Sequence, residues 1–235
     1  MDQARANTPI ITCLSTLLAL GLGLFSTASS ATGLRADMVD EAGQPLANAV
    51  LTLRGPLDAE PASSKAIMDQ RAQQFVPNVL AVRTGTAVSF PNSDDIRHHV
   101  YSFSPAKRFE LRLYQGTPSE PVVFDKPGLV VLGCNIHDWM VGYVYVTDDP
   151  WFAVSDEQGR IAFDGLPAGR YAVSLWHPNV PGMLPQAGAE LQVGAEVGTQ
   201  RYQLALQTPA TPAPSGPPPS SFGDAFRKAT RDAAQ

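Results

Sequence analysis

A short loop held between two apolar runs constrains this chain more than any other stretch. Leu129, Val130, Val131 and Leu132 lead into Gly133, while Val141, Gly142, Tyr143, Val144, Tyr145 and Val146 lead away from Met140. Both runs are rich in β-branched and aromatic residues, so they read as neighbouring strands joined into a hairpin. The loop carries Cys134, His137 and Met140 at matched three-residue steps. A thiolate, an imidazole and a thioether are thereby brought to the end of one hairpin.

With 235 residues, 44% hydrophobic and 17% charged, the chain can build one or two cored domains. A formal net charge of -5 and the lack of a long Lys/Arg run give no electrostatic reason to expect nucleic acid as a partner. Residues 1–31 read as a secretory signal, with Arg5 in the n-region, an apolar core at 10–25, small residues at 26–31 and a cut after Ala31. An uncleaved anchor is the alternative. Cleavage predicts a periplasmic protein without stable membrane insertion. It also removes Cys13 and leaves Cys134 alone. An unpaired cysteine in an exported chain points to an intermolecular partner, a reactive thiol or a metal ligand, against the plainer reading of a small buried hydrophobe.

Elsewhere the chain is a succession of short strand patterns separated by Gly, Pro, Asn and Asp. Residues 34–39 and 49–53 flank a turn at 40–45. Residues 75–82 and 87–90 read as two strands joined by a turn at Gly85, and residues 153–163 as a hairpin around Asp156, Glu157, Gln158 and Gly159. Phe109, Leu111 and Leu113 alternate with Glu110 and Arg112, as a half-buried strand requires. The loop at 91–95 delivers the chain to His98 and His99, from which a second imidazole can come. One Cys, two His and a weak Met form the ligand set of a blue-copper site, whereas structural zinc favours four strong ligands with more Cys. A Cys134 nucleophile with His137 as its base lacks an evident Asn or Asp orienter. His177, before Pro178, reads as a surface residue.

The residues Phe75, Val76, Pro77, Gly85, Asn92 and His98, with the Cys134, His137 and Met140 loop, resemble the plastocyanin/amicyanin group of cupredoxins. The short ligand loop is most similar to that of amicyanin, and the likeness extends to bacterial cupredoxin-like proteins labelled methylamine utilisation proteins. It spans residues 66–147. It implies a Greek-key sandwich with one mononuclear type 1 copper, ligated by His98, Cys134, His137 and Met140. It further implies electron transfer in the periplasm with a redox protein, a c-type cytochrome or a dehydrogenase, and no enzymatic activity of its own. In that family the first His ligand is usually followed by a bracing Asn. Here His99 follows, so His99 is either the brace or an alternative ligand, and Asn92 is a further candidate for that supporting role.

Residues 32–55 and 148–207 resemble the two parts of a transthyretin-like, carboxypeptidase-regulatory-like sandwich. Residues 40–46 carry the first part, and the Leu166, Pro167, Gly169, Tyr171 step carries the second. The expected fold class is therefore all-β: a cupredoxin sandwich inserted into a second β-sandwich, after a signal peptide. A competing assignment gives residues 32–55 to the cupredoxin as its first strands. Residues 208–235 form a Pro/Ala-rich tail with a short amphipathic stretch at Phe222, Ala225, Phe226, Ala229 and Ala233. Two other functions fit the same ligands: a periplasmic copper carrier, and a non-redox interaction module stabilised by its metal.

Overall fold

The computed structural model describes residues 32–55, 65–194 and 198–207; residues 195–197, the expected signal at 1–31, the connector at 56–64 and the tail at 208–235 lie outside the described residues. The protein is all-β. A 3₁₀ turn at Pro181–Met183 is the one helical element among the described residues, and no helix there is long and apolar enough to cross a membrane.

Two strands come first, β1 (Thr32–Asp40) and β2 (Val50–Arg54). The central stretch then supplies β3 (Lys65–Ile67), β4 (Asp69–Arg71), β5 (Gln74–Val76), β6 (Val79–Arg83), β7 (Thr86–Ser89), β8 (His98–Ser104), β9 (Lys107–Tyr114), β10 (Val122–Phe124), β11 (Gly128–Cys134) and β12 (His137–Thr147). A five-stranded sheet runs β6, β12, β11, β8, β9, and a three-stranded sheet runs β10, β7, β3. Val88 and Phe124 from the smaller sheet, with Phe90 just after β7, share one core with Val100, Val130, Leu132 and Val144 from the larger. The predicted hairpin is β11 and β12, antiparallel from Gly128 opposite Val146 to Gly133 opposite Val141.

The chain ends in β13 (Trp151–Val154), β14 (Arg160–Leu166), β15 (Gly169–Trp176), β16 (Gln186–Ala187), β17 (Leu191–Val193) and β18 (Gln200–Leu204). Here β1 lies between β14 and β18, while β2 lies between β13 and β15. The opening segment thus pairs with strands that follow residue 150, and its Leu34, Met38, Leu51 and Leu53 share a second core with Tyr171 and Trp176.

β12 belongs to both cores. Successive side chains on a strand point to opposite faces, so Val144 and Val146 enter the first core while Tyr145 enters the second. The Tyr143 and Tyr145 rings lie 5.7 and 5.5 Å from Trp176. Burial on both faces explains why this run is almost continuously apolar, where a strand with one wet face would alternate.

Two expected hairpins are not formed. β6 pairs with β12, and β7 with β10 and β3, so the Gly85 turn crosses between sheets. The Thr84 N–H donates to Thr147 O and the Gly85 N–H to Phe124 O, fastening the two sides of that turn to different sheets. Likewise β13 joins β2 and β14 joins β1. The turn at Asp156 and Gly159 is present, but Ser155 N–H donates to Ala49 O while Gly159 O accepts from Met38 N–H, which pulls its arms apart. Gly159 sits at φ +73°, and a Cβ there would meet Met38 O at 2.4 Å, so a side chain is excluded on both counts.

Candidate metal centre

His98 opens β8, Cys134 closes β11 and His137 opens β12. β8 and β12 each run antiparallel to β11, so all three residues arrive at the same end of the five-stranded sheet. The ladder is irregular at two points there, between Gly133 and Cys134 and between His98 and Val100. Such irregularities re-aim side chains next to functional sites. Gly133 has no room for a side chain, because a Cβ would lie 2.8 Å from the Tyr101 ring on β8.

His98 Nδ1 lies 3.1 Å from His137 Nδ1, and Cys134 Sγ lies 3.9 and 3.7 Å from these two nitrogens. Among the described residues this is the one group of three or more His, Cys, Asp or Glu whose ligand atoms converge in this way. Cys134 and His98 are buried, at 2% and 0% exposure, while His137 is partly exposed. His98 Nε2 lies 2.7 Å from Asp94 Oδ2. An ionised carboxylate only accepts, so Nε2 carries the proton and, in the neutral ring, the Nδ1 lone pair faces the site. Burial pushes the His137 ring down from its ordinary value, His98 adds to this, and Asp94 offsets part of it. The neutral form that a metal requires is favoured accordingly.

The donor set fits a metal. A triangle with sides of 3.1, 3.7 and 3.9 Å has its circumcentre about 2.1 Å from each corner, within the range of first-row metal bonds to imidazole and close to that for thiolate. Two inward-facing ring nitrogens and a sulfur, drawn this close, repel one another unless a proton or a cation lies among them.

Met140 is buried at 1% and belongs to the same core cluster as Cys134; the two also border one open depression with Tyr101, Phe103 and Asp138. His99 is placed on the opposite face from His98. Its Nε2 lies 3.0 Å from Glu110 Oε1 on β9, and its ring packs edge-on against Tyr101 at 5.9 Å. The inward imidazole is therefore His98, and His99 lies outside the cluster. Asn92 holds a backbone loop. Its amide donates to Ile96 O and Tyr114 O at 2.8 and 2.9 Å and accepts from the Asp94 N–H at 3.1 Å, shaping the loop that presents Asp94.

His177 is remote from this cluster and, contrary to its reading as a surface residue, is buried at 8%. Its Nδ1 accepts from the Asn179 N–H at 3.1 Å and its ring bonds the Ala47 backbone.

Sequence reasoning missed Asp94. Burial alone would push its carboxyl up, but hydrogen bonds from the Gln73 amide, the His98 ring and the Ala72 amide outweigh that and hold it below the usual carboxylate range. The available signal was an acidic residue four positions before His98.

No protein-family model matches the chain, and a search of curated proteins found no match. Among solved structures, the chain is similar to a purple cupredoxin from Nitrosopumilus maritimus at 25% identity, over 34% of this chain and 96% of that one, with a TM-score of 0.30. It is similar to a copper-containing nitrite reductase from Thermus scotoductus SA-01 at 26% identity, over 49% of this chain and 28% of that one, with a TM-score of 0.34. It is also similar to an amicyanin in its reduced Cu(I) form at 19% identity, over 41% of this chain and 99% of that one, with a TM-score of 0.32. Each overlap takes in less than half of this chain.

Proposed function

We propose that this chain is an exported, cupredoxin-like electron carrier that holds one copper ion with His98, Cys134, His137 and Met140. The observation that carries this reading is the convergence of two imidazole nitrogens and a thiolate sulfur around a point at metal-bond distance. Two His and one Cys with a weak thioether are the donors that suit copper cycling between Cu(I) and Cu(II). Copper supplies the one-electron chemistry, and the chain supplies the frame.

That frame is held from several sides. Cys134, buried at 2%, is screened from solvent oxidants. His98 is held by Asp94, and β12, which begins at His137, is gripped by two cores. A site that barely moves between oxidation states suits rapid electron exchange. His137 is the ligand with solvent access, and Ile136, 46% exposed, lies next to it, with the Trp139 ring 5.1 Å from the imidazole. A small apolar patch around an exposed ligand edge suits the brief, small-area contacts of redox partners such as a c-type cytochrome or a dehydrogenase. The flanking strands, read as a transthyretin-like sandwich into which the copper unit is inserted, buttress β12.

A copper carrier would use the same donors but release the ion to an acceptor. Cyclic voltammetry of the copper-loaded protein, beside a challenge with a strong Cu(I) chelator, separates the two. Electron transfer predicts reversible one-electron waves with the metal retained after reduction. Rapid loss of Cu(I) to the chelator, with poor reversibility, would assign the chain to copper delivery.

A further inference from the structure

The loop before β8 places a carboxylate against the back of His98, and that carboxylate is anchored on its far side by a turn of unusual conformation. We infer that Asp94 is a positioning residue for the metal centre: held by the β4–β5 turn, it fixes the ring of His98 and tunes the ion that His98 faces. This inference rests on the copper reading above, and its test separates the two.

Three donors converge on Asp94. The Ala72 N–H reaches Oδ1 at 2.6 Å, the Gln73 N–H reaches Oδ2 at 2.9 Å, and His98 Nε2 lies 2.7 Å from Oδ2. Ala72 and Gln73 join β4 to β5 with φ of 49° and 59°. Two central residues in the left-handed region make the tight hairpin turn that Asn and Gly normally occupy. Side chains such as Ala and Gln adopt it only where the surroundings enforce it, and such conformations gather at functional sites. Here the enforcement is visible, since both turn amides point at one carboxylate. A second tie, from Ser93 Oγ to the Asp69 carboxylate at 2.8 Å, lashes the same loop to β4.

The chemical consequence follows from the acceptor-only character of the carboxylate. His98 must keep its proton on Nε2, which leaves Nδ1 as the donor toward the site. A carboxylate behind a ligating imidazole also makes the ring a stronger donor, a pairing that recurs at metal-bound histidines. Negative charge at this distance favours the more highly charged ion, so Asp94 stabilises Cu(II) relative to Cu(I) and lowers the reduction potential.

The experiment compares wild-type, Asp94→Asn and Asp94→Ala proteins. Because Asp94→Ala removes the acceptor for both turn amides, it is also made with Ala72→Gly and Gln73→Gly, which free the turn from that requirement. Asp94→Ala in the relaxed turn is expected to weaken Cu(II) binding by about ten- to a hundredfold. For each factor of ten by which Cu(II) binding falls more than Cu(I) binding, the potential rises by about 59 mV. Asp94→Asn is expected to recover much of the affinity while keeping a raised potential. In Cu(I)-loaded wild type, which is diamagnetic, the His98 Nε2 proton gives an exchange-protected NMR resonance that Asp94→Ala loses. Unchanged affinity, potential and resonance in the variants, with a wild type that shows the thiolate-to-copper absorption, would overturn this inference alone. A wild type without that absorption would overturn the copper reading instead.

Discussion

His98 and His177 are both buried, at 0% and 8% exposure, one in each half of the molecule, and they differ in what their nitrogens face. Among the flanking strands, His177 gives one nitrogen to the Asn179 amide and bonds the Ala47 backbone, so the ring completes local hydrogen bonding. In the central unit, only the outer nitrogen of His98 has such a partner, in Asp94. Its inner one is aimed at another imidazole nitrogen 3.1 Å away, with a sulfur at 3.9 Å. A satisfied ring stabilises a fold. A ring with a donor atom aimed at other donors is built to share a cation, and burial alone does not tell the two apart.

The largest effects should divide along this line. His98→Ala is expected to abolish the intense visible absorption of the copper-loaded protein, whereas His177→Ala should keep it and cost about 1–3 kcal/mol of stability through the lost hydrogen bonds. Absorption spectra and denaturant titrations of the two variants, measured side by side, check the crossed pattern. Colour surviving in His98→Ala, or vanishing in a folded His177→Ala, would break the comparison.

Next in size is Trp176→Ala. This side chain is 0% exposed and packs against Tyr143 and Tyr145 of β12, so truncation should cost about 3–5 kcal/mol in chemical denaturation. The ligand end of β12 lies beyond that contact. Any folded fraction is therefore expected to keep its copper spectrum, and a spectrum altered in the folded variant would show that the flanking core sets the site geometry.

The smallest effect concerns pH. Burial pushes the His177 ring down from its ordinary value, with the Ala47 bond offsetting part of it. The unfolded chain therefore takes up this proton first. The contribution of His177 is fully present above the ordinary His value of about 6.5 and declines as pH falls below it. The stability gap between wild type and His177→Gln should accordingly narrow from neutral to mildly acid pH. A gap that widens on acidification would reverse the sign.

Local features were legible in the sequence. The β11–β12 hairpin and the Cys134, His137 and Met140 spacing lie within one contiguous stretch, so periodicity and residue type were enough to read them. Features decided by distant partners were not. Gly85 and the turn at Asp156 have the composition of hairpin turns, yet hydrogen bonds to Thr147, Phe124, Met38 and Ala49 send their arms to different strands. The choice between His98 and His99 falls at a ladder irregularity between His98 and Val100, which no side-chain pattern announces. Asp94 lay in a loop recognised only by its polar composition, although its spacing from His98 was in plain view. His177 was mistaken for a surface residue because the Pro178 after it signals a turn, and turns are normally exposed.

Two imidazole nitrogens and one thiolate are expected to bind a single copper ion. Titration of the purified protein lacking residues 1–31 with Cu(II), followed by visible absorption and compared with Cys134→Ser, checks this. The expected result is an intense thiolate-to-copper band that saturates at one equivalent in the wild type and is absent from a folded Cys134→Ser. Binding without such a band, or the same band in both proteins, would contradict the assignment.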